Sequence, residues 1–252
     1  MKKLNLCLHV DSEVSTLDDV ANTATPAATE THYPIPHVEL IDRTRDRLRE
    51  NGIEVLAEQH ALNESGERYF GLMQTDIGGS DGDYTTVVGL RNSHDKSFAA
   101  GLVAGSGVFV CDNLSFHGEI SVSRVHTRHV LSDLEGLLDN GVGALRGMAI
   151  QQEKRVVAYK DAELDNSTMH DLIFRAAVGG AVTKSRMLDV RNEFLKPRHD
   201  EFGDRNLWSL FNAFTEAFKP RGRGGSVTAV DRLAMQSRRL HGVFDRFVGL
   251  VS

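Results

Sequence analysis

Between Val87 and His129 an apolar, β-forming passage is interrupted by the side chains best suited to chemistry in this chain. Arg91, Asn92, His94, Asp95 and Lys96 fall in one turn, Cys111, Asp112 and Asn113 in a second, and His117, Arg124, His126, Arg128 and His129 follow. Buried strands rarely carry so many ionisable groups. Four chemistries fit these residue types. Cys111, His117, His126 and His129 are zinc-ligand types, but their spacing matches no established zinc pattern and there is no HExxH, so polar groups at a sheet edge are the simpler reading. Cys111 at the end of a strand is a nucleophile only if a histidine activates it, and in VFVC it reads as a small buried hydrophobe. GLVAGSG is an incomplete phosphate-binding glycine pattern, and Arg91 with Lys96 in RNSHDKS suits an anion better.

The fourth chemistry is nucleic-acid binding. Arg91, Lys96, Arg124 and Arg128 supply phosphate contacts, and His94 and His126 supply rings that stack on or hydrogen-bond unpaired bases. Asn92, Asp95, Asp112 and Asn113 would shape the turns between them. Arg232, Arg238 and Arg239 add a second basic surface near the C-terminus. The chain as a whole is acidic, with a net charge of −6 over 252 residues. From Lys219 onward seven Lys/Arg stand against Asp231 and Asp245, so that end carries +5 and the remainder −11.

These residues need elements to position them. A helix is predicted over 37–51, beginning after Pro36 and closed by Asn51-Gly52. Alternating and β-branched runs from 53 to 126 predict an antiparallel meander, with turn chemistry at Asn63–Gly66. From about Thr127 the period changes to 3.6, and Val130, Leu134, Leu138, Val142, Leu145, Val156 and Tyr159 trace one long helix studded with glycines. Helices continue through 128–219, with Asp204 as the cap of the aromatic helix LWSLFNAFTEAF. The predicted fold is α+β: a β-meander packed against a long helix, then a helical C-terminal half. Residues 1–34 read as an irregular acidic leader with one helical turn near Leu17–Val20. Residues 35–219 read as a single domain, 220–225 as a glycine-rich linker, and 226–252 as a basic amphipathic helix that docks on its own body or on a neighbour.

Two cysteines cannot make a disulfide framework, no apolar run reaches membrane-spanning length, and MKKLNLCLHVDSEV is a poor signal peptide. A soluble protein of the cytoplasm, without cofactor and without membrane contact, is the expectation. At VVGLRNSHDKSF, VFVCDNLSF and VHTRH, together with PIPHVELID and FGDRNLWSLFNAFTEAFK, the chain resembles a family of phage- and plasmid-borne proteins of unknown function, over about Pro34–Lys219. The resemblance implies action inside a bacterial host and carries no catalytic residues. In element order alone, a meander followed by a long helix is also similar to the core of phage single-strand annealing proteins. The leading expectation is a homo-oligomeric protein that binds single-stranded nucleic acid in recombination or replication. A host-interaction or anti-defence protein that captures a host protein or nucleotide is a second class. A metal-dependent enzyme built on the His/Cys cluster is a third.

Overall fold

The computed structural model describes residues 12–78, 84–108, 120–218 and 227–251, with the side chains of 106–108, 120–121 and 227–235 excepted. Six strands form one sheet in the order β1 (Ser12–Ser15), β2 (Val55–Asn63), β3 (Arg68–Gly78), β4 (Tyr84–Ser93), β5 (Ala100–Val108) and β6 (Ile120–Arg124). Strands β2 to β6 are the predicted meander. The β2–β3 turn closes as its sequence dictates: Gly66 takes a positive φ of 72°, its N–H donates to the Asn63 carbonyl, and Asn63 Oδ1 accepts from the Arg68 N–H. The supposed leader contributes more than its composition indicates. β1 adds an edge strand antiparallel to β2, and the expected helical turn is α1 (Leu17–Ala21), capped reciprocally by Thr16 and Asp19.

Helix α2 (His37–Glu50) starts after Pro36, and Gly52 at φ 64° follows its end. Its Leu40, Ile41 and Leu48 share one core with Met73, Val88, Leu90 and Leu102 of the sheet and with Val130, Leu134, Leu138 and Val142 of α3 (Val130–Gly143). Of the glycines in this region, Gly141 is the one that packing requires. A Cβ there would lie 3.1 Å from Leu102 and 3.2 Å from Val122, so its absence lets α3 approach the sheet. Gly136, Gly143 and Gly147 face open space instead. The single long helix predicted over this stretch is two helices, α3 and α4 (Leu145–Asp161), separated at Ala144. Gly141, Gly143 and Gly147 fall within seven residues there, each weakening helix by up to ~1 kcal/mol relative to alanine.

The described residues fall into two compact units, 12–106 with 120–149, and 150–218 with 227–251. The second is helical. Besides most of α4 it holds α5 (Asn166–Val178), α6 (Met187–Leu195), α7 (Leu207–Phe218) and α8 (Val227–Phe247). Asp165 caps α5 by accepting from the Thr168 N–H at 2.7 Å. The cap of α7 is Asn206, which accepts from the Ser209 N–H, rather than the expected Asp204. An isolated β-bridge between Glu163 and Asn206 holds the chain in that position. Nearly all of α7 is buried, so its aromatic run is core. Phe211, Phe214 and Phe244 surround Tyr159, whose hydroxyl donates to Asp245 at 2.7 Å, while Arg155 Nε pairs with the same carboxylate at 3.1 Å. Through Phe244 and Asp245, α8 docks on the helices of its own chain. The linker predicted at 220–225 lies outside the described residues.

Candidate nucleic-acid interface and its histidine support

The β3–β4 register sets Phe70 opposite Arg91, and residues directly opposite in an antiparallel pair point to the same face. This is the face away from α2, because Tyr69, Met73 and Leu90 alternate onto the core side. Phe98, in the turn after β4, packs on Phe70 with ring centroids 5.2 Å apart. The Arg91 guanidinium carbon lies 5.8 Å from the Phe98 centroid. Arg91 is exposed and forms no ion pair among the described residues. On the neighbouring strand Gly101 leaves the guanidinium room: a Cβ there would sit 3.5 Å from Arg91 Nε.

Backbone and side-chain bonds brace the turn that carries Phe98. Ser93 Oγ donates to the Phe98 carbonyl at 2.7 Å and accepts from the Phe98 N–H. Asp95 accepts from the Ser97 N–H at 3.0 Å and from Arg68 Nε at 2.6 Å. Burial alone would raise the Asp95 pKa, but hydrogen bonds from Ser97 and Arg68 outweigh it and hold the carboxyl below its ordinary value. Lys96, exposed at the tip, adopts φ 65°, the left-handed region that lysine disfavours. Arg91, Lys96, Phe70 and Phe98 therefore form one cationic and aromatic patch. Phe70 has no signal of its own in the sequence; only the hairpin register brings it to Arg91.

The other cations do not join this patch as one row. Arg124 lies opposite Ala100 and so alternates away from Gly101, and it is paired with Asp133 of α3 at 2.7 Å. Arg128 is exposed beside His129, its Nε donating to His129 Nε2 at 3.1 Å. Arg239 donates to the Gly180 carbonyl, and Arg238 is exposed on α8, both in the helical unit. Cys111, Asp112, Asn113 and His117 lie outside the described residues, as does the side chain of Arg232.

His94 and His126 sit on the opposite side of β4 from Arg91, each 5% exposed, and this burial removes them as base-stacking groups. They belong to a network whose hub is Asn92, itself fully buried. Asn92 Nδ2 donates to the Ile35 carbonyl at 2.8 Å and to His37 Nδ1 at 2.9 Å, and Asn92 Oδ1 accepts from His126 Nε2 at 2.7 Å. His37 Nε2 donates to the Gly66 carbonyl, His94 Nε2 to the Ile35 carbonyl and His32 Nε2 to the His94 carbonyl. A carbonyl can only accept, so each of these rings carries its proton on Nε2. The His37 and His94 rings stack 3.9 Å apart and 6° from parallel, which disfavours charging either. Burial first, and then the neighbouring His94, lower the His37 pKa to about 4. Burial, with His32 and His94 nearby, does the same to His126, again to about 4. His94 is lowered by burial, opposed by its bond to the Ile35 carbonyl. The network thus works as neutral hydrogen-bonding groups that pin residues 29–37 onto the end of β4, directly behind the exposed patch. Neither His32 nor His37 was singled out by sequence reasoning, although both flank the YPIP punctuation.

Beside it, Arg45 grips Glu58 through both guanidinium nitrogens, and His60 Nδ1 meets the Tyr69 hydroxyl at 2.9 Å. Burial opposes the charge on Glu58, but hydrogen bonds from His60 and Arg45 prevail and hold its pKa at about 2. Burial pushes the Tyr69 phenol up. Among the described residues no group of three or more His, Cys, Asp or Glu side chains is placed to hold a metal ion, and no helix is long and apolar enough to cross a membrane.

Fold and patch together define a class: an α+β protein whose antiparallel sheet presents a braced arginine–aromatic surface. Residues 27–242 match the family described as "domain of unknown function (DUF932)", and the chain belongs to that family. No curated protein and no solved structure matches the chain.

Proposed function

We propose that this protein binds single-stranded nucleic acid on the patch formed by Arg91, Lys96, Phe70 and Phe98, as a homo-oligomer acting in the cytoplasm of a bacterial host on behalf of a phage or plasmid. The observation that carries the reading is the exposed Arg91 guanidinium set beside Phe98 and Phe70 on a sheet face. Strand faces that carry aromatic rings and a guanidinium accept unpaired bases by stacking, while cations at the edge hold the phosphates. A duplex hides its bases and offers the rings nothing, so the patch selects single strands.

The protein's net charge of −6 and the pairing of Arg68 and Arg124 to acids leave few cations for phosphates. Binding is therefore modest and salt-sensitive. With about two phosphate contacts, log K falls against log salt with a slope of about −1.4 on single strands. Fluorescence anisotropy of a labelled single-stranded oligonucleotide at low and moderate salt, with duplex in parallel, tests this. The Arg91→Ala/Lys96→Ala protein loses about tenfold or more in affinity at low salt. Equal affinity of that variant and the unaltered protein, or equal binding of duplex, refutes the assignment.

A further inference from the structure

Helix α5 is apolar on two sides. Met169, Leu172, Ile173 and Ala176 are buried, as one face of a surface helix must be. Phe174 and Val178 project the other way, 59% and 73% exposed. With Val243 and Phe247 of α8 they line an open groove of about 440 Å³, and Arg175 and Arg246 stand at its edge. Large apolar side chains gathered in one concavity mark an interaction surface.

The charges restrict what fills it. Arg175 is already paired with Asp171, one turn earlier, at 2.7 Å. Arg246 forms no ion pair among the described residues and is exposed. The groove therefore suits a helix that presents two large apolar side chains one turn apart, with a carboxylate on the turn before them. Asp171, Phe174 and Val178 of α5 have that spacing, three and then four residues apart on one stripe. A surface that carries both the groove and the pattern that fills it is self-complementary, the condition for a two-fold interface. We infer that the chain dimerises here, α5 of each copy lying in the α5–α8 groove of the other, Phe174 filling the groove and Asp171 facing Arg246. The interface lies in the helical unit and does not depend on the nucleic-acid reading.

Sedimentation velocity on the full chain, over about 1–200 μM, tests it. The unaltered protein sediments as a dimer at the upper end. Phe174→Glu and Val178→Glu, both at exposed positions and so compatible with an unchanged melting temperature, each raise the dissociation constant by about 100-fold. Asp171→Arg and Arg246→Glu separately weaken the dimer by about tenfold, and the double charge swap restores it. A monomer at every concentration overturns the inference and leaves the groove to a helix from a different protein. An oligomer indifferent to Phe174→Glu overturns it equally, because assembly would then use another surface.

Discussion

Mild acid should unfasten the segment that backs the binding patch. His37 and His126 have folded-state pKa values of about 4, against about 6.5 for an unfolded imidazole. Between those values the unfolded chain binds protons that the folded chain refuses, so stability is full above pH 6.5 and declines as the pH falls toward 4. At pH 5 each group costs about 2 kcal/mol relative to pH 7, or about 4 kcal/mol for the pair. His94, lowered in the same direction, adds to this. Domains of this kind are stable by roughly 5–15 kcal/mol, so the loss is a large fraction of the total. The carboxylates do not confuse the window: Glu58, held at about 2, withdraws its contribution only below the ordinary carboxyl range. Urea unfolding followed by circular dichroism at pH 7 and pH 5 reads the effect directly. The midpoint drops, and the drop shrinks by about half when His126 is replaced by Gln. A midpoint independent of pH between 7 and 5 would show that these imidazoles are not held neutral, and the hydrogen-bond assignment would fail with it.

Three substitutions probe the same structure. Asn92→Leu leaves the His126 Nε2–H and the His37 Nδ1 without their partner and lowers stability by about 3 kcal/mol in thermal or urea melts, because buried polar groups lose their bonds. Gly71→Ala places a methyl where the Tyr69 hydroxyl sits, which separates Tyr69 from His60 and costs about 2 kcal/mol or more in the same assay. Lys96→Gly removes the left-handed strain at φ 65°, so stability rises by about 1 kcal/mol while oligonucleotide affinity falls; a parallel change in both would separate Lys96 from the site.

The elements were legible where local physics decides them. Pro36 and Asn51-Gly52 bracket α2, Asn63–Gly66 closes the first hairpin, and β-branched runs declare the meander. Arg91 and Lys96 stood out because they are cations at the end of a strong strand. What was not legible depended on partners distant in sequence. His94 and His126 read as exposed base contacts because the groups that bury them, Ile35, His37 and His32, arrive from a segment whose composition is irregular. Arg124 read as a fellow of Arg91, but the β5–β6 register turns it to Asp133. The 3.6-residue stripe crosses Ala144 without interruption, and only the cluster of glycines hints that the helix ends there. Phe70, an unremarked strand residue, becomes part of the surface through register alone.

Photo-crosslinking of a 5-bromouracil-substituted single-stranded oligonucleotide, followed by peptide mapping, tests the central claim most directly. Crosslinks on the peptides containing Phe70 and Phe98, lost on adding moderate salt and absent from the Arg91→Ala protein, are the predicted result. Crosslinks confined to other peptides, or none at low salt, would contradict the assignment of this sheet face as a nucleic-acid site.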